Sequence, residues 1–222
     1  MGEFEETVYN TGCPSIDIAL EVSNNRELEF NPFEKYGGVG NKFDYKSDYL
    51  VVLQHPVTTE YGKSREHIEM TLNAIKKLDI PTFWFWPNVD AGADGTSKGI
   101  RIFREKNIDA PIYFFKNMEP NDFLKLLLNS KCLIGNSSVG IRECSFLGVP
   151  ALNIGKRQLG RERGVNVKDV DYDTNAIIDG IKYQMLNKDV KPDFIYGSGN
   201  SGTKIAQILS EVELTFDKKI RY

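Results

Sequence analysis

The chain contains 222 residues, with 28 Lys and Arg against 31 Asp and Glu, so that its formal net charge at pH 7 is −3. This composition is typical of a folded globular protein rather than a disordered one, and the slightly negative charge gives no reason to expect a nucleic-acid partner. No apolar run in the sequence is long enough to cross a bilayer, so we expect no membrane partner either.

The first residues and the cysteines favour a cytoplasmic protein. Met1–Glu6 lack the apolar segment of a signal peptide. The three cysteines, Cys13, Cys132 and Cys144, lack the spacing of metal ligands, and we expect them to be buried free thiols. We therefore expect a protein that needs neither a metal ion nor an organic cofactor.

Residues 1–48 are polar and irregular in pattern. A turn is predicted at Pro32, another at the glycine cluster Gly37–Gly40, and only Cys13–Leu20 has helical periodicity. This pattern predicts that residues 1–48 form a surface connector or hinge segment.

From residue 49 onward, short apolar runs alternate with amphipathic segments. The predicted strands are Tyr49–Gln54, Pro81–Trp86, Ala110–Phe115, Leu133–Ile134, Pro150–Ile154 and Val165–Val170. The predicted helices are Arg65–Leu78, Thr96–Lys106, Asn121–Asn129, Val139–Leu147, Thr174–Leu186 and Gly202–Val212. This alternation predicts an α/β fold in which residues 49–222 form one Rossmann-like, doubly wound parallel sheet.

The loop Gly135–Gly140 has the composition of an anion site. In a parallel sheet, ligands bind at the carboxyl ends of the strands, and this loop follows a strand and opens a predicted helix. Free amide groups at a helix start attract anions, and Ser137 and Ser138 would add hydroxyl donors. The alternative is that Ser138 only caps the helix, which is a common role for serine.

Three more side chains near strand ends are candidates, each with a simpler alternative. Arg157 stands with Lys156, Arg161 and Arg163 in a basic loop after the strand that follows the serine loop Gly135–Gly140. Arg157 could bind phosphate, although such a loop is often only solvated. His55 directly follows a strand and could donate to a phosphate or transfer a proton, whereas a single histidine is often structural. Glu143 could accept hydrogen bonds from ribose hydroxyls, or it could be an ordinary surface carboxylate of the helix. The other histidine, His67, stands among charged residues at a helix start, and we expect it on the surface.

Taken together, the loops of this chain resemble those of one family, the UDP-N-acetylglucosamine 2-epimerases, and especially its hydrolysing branch, which makes N-acetylmannosamine for sialic acid synthesis. The matching segments follow the family order across nearly the whole chain. They are Asn10–Asp17 (NTGCPSID), Gln54–Thr59 (QHPVTT), Pro87–Gly92 (PNVDAG), Gly135–Glu143 (GNSSVGIRE), Gly155–Gly164 (GKRQLGRERG) and Tyr196–Asn200 (YGSGN).

The resemblance implies roles for particular residues. Ser137 and Ser138 match phosphate-binding serines of the family, Glu143 a ribose-binding glutamate, Arg157 an arginine that contacts the nucleotide, His55 a histidine beside the diphosphate, and Met118 backbone that contacts the uracil. Asn88 matches an asparagine that binds a feedback inhibitor, CMP-sialic acid, in some members. Four further candidates stand in the same motifs: Gly140, Arg142, Gly197 and Gly199. The last motif departs from the family pattern, because Ser198 replaces the usual aspartate.

The resemblance also implies the place of the chain in a larger enzyme. Family members have a GT-B-type fold of two domains, and the matching segments belong to the C-terminal, UDP-binding one. The N-terminal domain supplies the catalytic carboxylates, so we expect this chain to bind UDP and a UDP-amino-sugar and to need that domain for turnover. The formation of homo-oligomers stays open. Two alternative functions stay open as well: the nucleotide domain of a GT-B glycosyltransferase, and a non-catalytic nucleotide-sensing module.

Overall fold

The computed structural model describes residues 5–187 and 190–213. The expected absence of a signal peptide rests partly on residues 1–4, and the predicted domain 49–222 ends with residues 214–222. Both of these segments lie outside the described residues.

The strands form one seven-stranded sheet in the order β1-β4-β3-β2-β5-β6-β7, in which every pair is parallel except β1 with β4. The strands are β1 (Val39–Gly40), β2 (Leu50–Leu53), β3 (Thr82–Phe85), β4 (Ile112–Phe115), β5 (Leu133–Gly135), β6 (Ala151–Ile154) and β7 (Val167–Val170). When the six parallel strands are numbered from β2 as the first, their order is the Rossmann order 3-2-1-4-5-6. The direction in which the chain crosses the sheet therefore reverses between β2 and β5. The predicted fold class is confirmed.

The central strands are apolar on both faces because helices cover the sheet on both sides. All four residues of β3, Thr82–Phe85, are buried. Phe83 belongs to the hydrophobic core on one face, whereas Trp84 belongs to the core on the other face. Replacing such a side chain by alanine removes about 3–5 kcal/mol of stability, so these cores hold the strand ends in place.

The eight α-helices in the described residues match most of the predicted helical segments. They are α1 (Ser15–Asn24), α2 (Pro32–Lys35), α3 (Ser64–Leu78), α4 (Ala93–Lys106), α5 (Pro120–Leu128), α6 (Glu143–Leu147), α7 (Thr174–Leu186) and α8 (Ser201–Glu211). Of these helices, none is long and apolar enough to span a membrane, a finding that holds for the described part of the chain.

The predicted helix Val139–Leu147 is wrong in its first half. The structure has a 3-10 turn at Ser138–Gly140, and α6 begins only at Glu143. The carbonyl group of Gly140 accepts a hydrogen bond of 2.9 Å from the side chain of Asn166. This bond from a distant residue competes with the helical hydrogen bond to the same carbonyl and favours the break.

Residues 5–48 contain more regular structure than their sequence pattern indicates. Beyond the predicted helix around Cys13–Leu20, they form α2, which is capped by the side chain of Asn31, and the antiparallel edge strand β1. Ile16 and Phe33 are buried, and the Phe33 ring lies 5.5 Å from that of Phe83 on the sheet. The described residues of this segment therefore pack on the sheet. The domain boundary at residue 48 stays a prediction.

Candidate functional site

A cleft of about 440 Å³ lies at the carboxyl ends of the central strands, where the order of the strands reverses. It brings together five of the residues selected from the sequence, which are His55, Asn88, Met118, Ser137 and Glu143. His55 follows β2 and Ser137 follows β5, so the two sides of the switch point face one opening. This is the position at which open α/β sheets bind their ligands.

His55 is buried and held in one orientation. Its side chain is 6% exposed, and its Nδ1 accepts a hydrogen bond of 3.2 Å from the backbone amide of Asn88. Burial, followed by the nearby Arg157, lowers the pKa of His55 to about 4, although Asp90 opposes this shift. The ring is therefore neutral at pH 7 and, with Nδ1 as an acceptor, carries its proton on Nε2. Such a ring is a hydrogen-bond donor rather than a cation.

The serine turn, which consists of Ser137 and the 3-10 turn Ser138–Gly140, differs from the predicted helix start capped by Ser138. Ser137 is the cap of the 3-10 turn, because its hydroxyl accepts a hydrogen bond of 3.4 Å from the amide of Val139. The capping role that we considered for Ser138 belongs to the preceding residue. Ser137 lines the cleft, whereas Ser138 is half-buried beside it.

Glu143 is a buried carboxylate on the wall of the cleft. It is 5% exposed, and its Oε1 lies 3.4 Å from Nη2 of Arg142. Its Oε2 has no hydrogen-bond partner among the described residues. A buried carboxylate oxygen without a donor is costly, so this atom is suited to accept hydrogen bonds from the hydroxyl groups of a ligand.

Only one arginine of the basic loop lies beside the switch point. Arg157 donates to the backbone carbonyl of Asn136 over 3.3 Å, and its Nη2 lies 3.7 Å from Asp90. Arg163 is used elsewhere, because it pairs with Asp169 at 2.7 Å. Arg161 is exposed. The charge of the loop is thus divided between one residue near the site and others that stabilise the loop or face solvent.

Apolar side chains form the far wall of the cleft. Met118 is buried there, and the rings of Phe85 and Phe123 meet edge to face at 4.9 Å. Trp86 also lines the opening and is only half-buried. The cleft therefore has a polar side with His55 and the serine turn and an apolar side suited to a flat ring.

Six of the predicted residues do not line the cleft, namely Ser138, Gly140, Arg142, Arg157, Gly197 and Gly199. Gly140 packs on the sheet, where a Cβ atom would lie 3.3 Å from that of Ala151. Arg142 lies behind Glu143, with its Nη1 3.7 Å from the sulfur of Cys13. Gly197 and Gly199 pack against the segment that leads into α1 and against α1 itself.

The first and last family-like motifs are joined to each other. Asp17 accepts hydrogen bonds from the amides of Ser201 (2.9 Å) and Gly202 (2.7 Å), and so caps α8. The amide of Cys13 donates to the carbonyl of Tyr196 over 2.8 Å. These contacts join residues 10–17 to residues 196–202, so the role that they show for the two motifs is structural.

Sequence reasoning missed the most connected residue of the site, Asn136. It is fully buried and exchanges two hydrogen bonds with the backbone of His55. The expectation of a surface position for His67 is wrong: His67 is buried and stacks on Tyr172 with 3.6 Å between the ring centroids. Only the position of Asn136 next to the serines offered a signal in the sequence.

The fold and the cleft together define a Rossmann-like α/β domain with a candidate ligand site at its switch point. The chain belongs to the UDP-N-acetylglucosamine 2-epimerase family, whose model matches residues 1–210. The resemblance drawn from the sequence motifs is thereby confirmed.

Curated relatives include a UDP-N,N′-diacetylbacillosamine 2-epimerase (hydrolyzing) from Legionella pneumophila, which is 29% identical over 215 residues. That alignment covers 96% of this chain and 54% of the relative. A GDP/UDP-N,N′-diacetylbacillosamine 2-epimerase (hydrolyzing) from Campylobacter jejuni is 31% identical over 170 residues, which cover 76% of this chain and 42% of that relative. The chain spans about half the length of these curated relatives.

Solved structures confirm the architecture. The UDP-GlcNAc 2-epimerase of Methanocaldococcus jannaschii, in complex with UDP-GlcNAc and UDP, matches with a TM-score of 0.68 at 18% identity. The match covers 94% of this chain and 56% of that one. The Neisseria meningitidis UDP-GlcNAc 2-epimerase bound to UDP-GlcNAc matches with a TM-score of 0.66 at 17% identity, covering 95% and 57% of the two chains. The described fold is thus that of one half of a GT-B-type enzyme.

Proposed function

We propose that this chain binds UDP and UDP-linked amino sugars in the switch-point cleft, as the nucleotide-binding half of a hydrolysing UDP-N-acetylglucosamine 2-epimerase. The observation that carries the proposal is the buried Glu143, whose Oε2 lacks a donor and which lines the same cleft as His55 and Ser137. A nucleoside diphosphate offers hydroxyl groups to Glu143 and phosphate oxygens to His55 and Ser137.

Each part of the nucleotide has a matching wall. The apolar side around Met118 and Phe123 would hold the uracil ring, and Glu143 would accept hydrogen bonds from the ribose. The serine turn, with Ser137 and Ser138, would donate to the phosphates together with Nε2–H of His55. Family membership and the motifs shared with epimerases support this assignment.

The chemistry of the proposed reaction explains why donors are needed at the phosphate. In epimerases of this type a base removes the C2 proton of the sugar while UDP leaves from C1, and water then adds to the unsaturated sugar to give N-acetylmannosamine. Charge develops on the leaving β-phosphate oxygen, and donors fixed around it lower the barrier. Arg157 has a guanidinium group that can add charge-assisted hydrogen bonds, if it exchanges its contact with Asp90 for the phosphate.

We assign the acid and base at C2 to the other domain of such an enzyme, so we expect negligible epimerisation by this chain alone. In this proposal the other domain also recognises the acetamido group of the sugar. A UDP-diacetamido sugar, the class in the names of two relatives, is therefore accepted as well as UDP-N-acetylglucosamine at the nucleotide half.

Calorimetric titration with UDP tests the proposal, with CMP and GDP as competing nucleotides. Arg157→Ala, Ser138→Ala and Glu143→Gln should each weaken UDP binding by about ten- to a hundredfold, because a charge-assisted hydrogen bond contributes about 1.5–3 kcal/mol. Arg161→Ala is the matched control, since this arginine is exposed in the same loop as Arg157 and should leave the affinity unchanged.

The outcomes separate the alternatives. Selective UDP binding that falls in the three variants but not in Arg161→Ala supports the proposal. Binding of CMP-sialic acid in preference to UDP would indicate a nucleotide-sensing module instead. Sugar transfer to an acceptor without release of N-acetylmannosamine, once the chain is combined with its other half, would indicate a glycosyltransferase.

A further inference from the structure

Asn136 forms an unusual pair with the backbone of His55. Its Oδ1 accepts a hydrogen bond of 2.8 Å from the amide of His55, and its Nδ2 donates one of 2.8 Å to the carbonyl of the same residue. The side chain of Asn136 thus replaces a neighbouring strand at the point where β2 ends. Asn136 is fully buried, so neither bond competes with water.

The main chain of Asn136 connects two further parts of the site. Its carbonyl accepts hydrogen bonds from Nε2 of Gln158 (2.7 Å) and Nη1 of Arg157 (3.3 Å). Its amide donates to the carbonyl of Leu53 over 3.3 Å. The end of β2, the serine turn and the basic loop therefore meet at one residue.

The chemistry of asparagine fits this position. An amide side chain offers one acceptor and two donors, which match the N–H and C=O groups of a peptide unit. Gly135 allows the close approach, because it has a φ of +137° and a Cβ atom there would overlap the carbonyl oxygen of Leu53. Without Asn136, two buried backbone groups of His55 lose their partners.

We propose that Asn136 is a positioning residue, which holds the His55 ring and the Arg157 guanidinium so that both act on the same anion. It acts through the backbone of His55, whose ring is then locked by the bond from the Asn88 amide to Nδ1. The identity of the anion, the diphosphate of UDP, rests on the proposed function; the positioning itself does not.

The test uses Asn136→Leu, which preserves the approximate size of the side chain, and Asn136→Ala. Gln184→Leu is the control, because Gln184 is also a buried amide whose Nε2 donates to two backbone carbonyls, those of Ala151 and Asn166, outside the cleft. Imidazole ¹⁵N NMR of the ligand-free protein reports which nitrogen of His55 carries the proton. Calorimetry then reports the affinity for UDP.

We expect the wild-type ring to be protonated on Nε2 only, and both Asn136 variants to show averaged imidazole signals. UDP affinity should fall by about tenfold or more, the equivalent of roughly one buried hydrogen bond. Gln184→Leu should lose stability while its His55 signals and its UDP affinity stay as in the wild type. A loss of stability alone in the Asn136 variants, with unchanged His55 signals and affinity, would overturn the proposal.

Two further outcomes are decisive. If the wild type does not bind UDP while the His55 signals still change in Asn136→Leu, the proposed function fails and the positioning role stands. If neither Asn136 variant folds, hydrogen exchange on the wild type replaces them: slow exchange of the His55 amide supports the proposal, and exchange as fast as in an exposed loop contradicts it.

Discussion

Acidification should destabilise this protein through His55, and replacing that residue should remove the effect. The chain contains only two histidines. Burial lowers the pKa of His55 from 6.5 to about 4 in the folded protein. Between pH 6.5 and pH 4 the unfolded chain therefore binds a proton on His55 that the folded protein does not bind. The contribution of His55 to the free energy of unfolding is fully present above pH 6.5 and falls as the pH decreases towards 4.

The size of the effect follows from the pKa values. One pKa unit corresponds to about 1.4 kcal/mol, so the change from 6.5 to about 4 corresponds to about 3.5 kcal/mol at most. At pH 5 the loss from His55 alone should reach about 2 kcal/mol. That is a large part of the stability of a typical domain.

The assay is urea unfolding at pH 7.5, 6.5, 5.5 and 5.0, followed by tryptophan fluorescence, since Trp84 is fully buried. In His55→Gln the free energy of unfolding should depend less on pH, by about 2 kcal/mol over this range. His67→Gln is the control. Burial also lowers the pKa of His67, although the carboxylates Glu60 and Glu66 oppose this shift. This variant should therefore remove only the part of the pH dependence that comes from His67. Parallel curves for the wild type and His55→Gln would refute a neutral, buried His55.

Three other contacts of the protein can be tested separately. UDP should bind with uptake of protons at pH 5.5, because a phosphate beside His55 raises its pKa towards the ordinary value; titrations in buffers of different ionisation enthalpy measure this, and equal heats would contradict it. Gly155→Ala should lower the stability by about 2 kcal/mol or more, because φ is +72° and a Cβ atom would overlap the Tyr172 ring; Gly62→Ala, in open space, is the control in thermal unfolding. Asp17→Ala should cost about 1–2 kcal/mol by removing the cap of α8, with UDP affinity unchanged in calorimetry; a loss of affinity without a loss of stability would show that the cap acts on the ligand.

The sheet and half of the site could be predicted because both depend on local pattern. Apolar runs such as Pro81–Trp86 and polar residues directly after them are visible in the sequence, and strand ends converge in a parallel sheet whatever the details of packing. The pattern alone therefore predicts correctly that His55 and Ser137 lie at one edge of the sheet. Glu143 was selected as a candidate from its motif, and its role stays a prediction; its burial and its unpartnered oxygen atom could not be predicted from the sequence.

The errors share one cause, which is a partner far away in the sequence. The edge strand β1 contains two residues and forms only because β4 offers it an antiparallel partner. The break before α6 involves Asn166, and the cap of α8 is Asp17, which is 184 residues from Ser201. No window of sequence contains both members of such a pair. From its neighbours in the sequence alone, a polar residue such as Asn136 is predicted only to be part of a loop.

The family motifs of this chain therefore divide into two groups by what they contact. Residues that line the cleft, such as His55 and Glu143, offer groups that a ligand can use. Asp17 and Gly197, which stand in other motifs of the family, join the segment before and within α1 to the segment before and within α8. Since the same family motifs supply both groups, a shared motif by itself does not identify a ligand contact. The distinction requires the partner of each polar atom. Several buried polar atoms of the described residues lack a partner, but among their residues only Glu143 also lines the cleft, and its Oε2 is therefore the atom to which we propose that the ligand's hydroxyl groups donate.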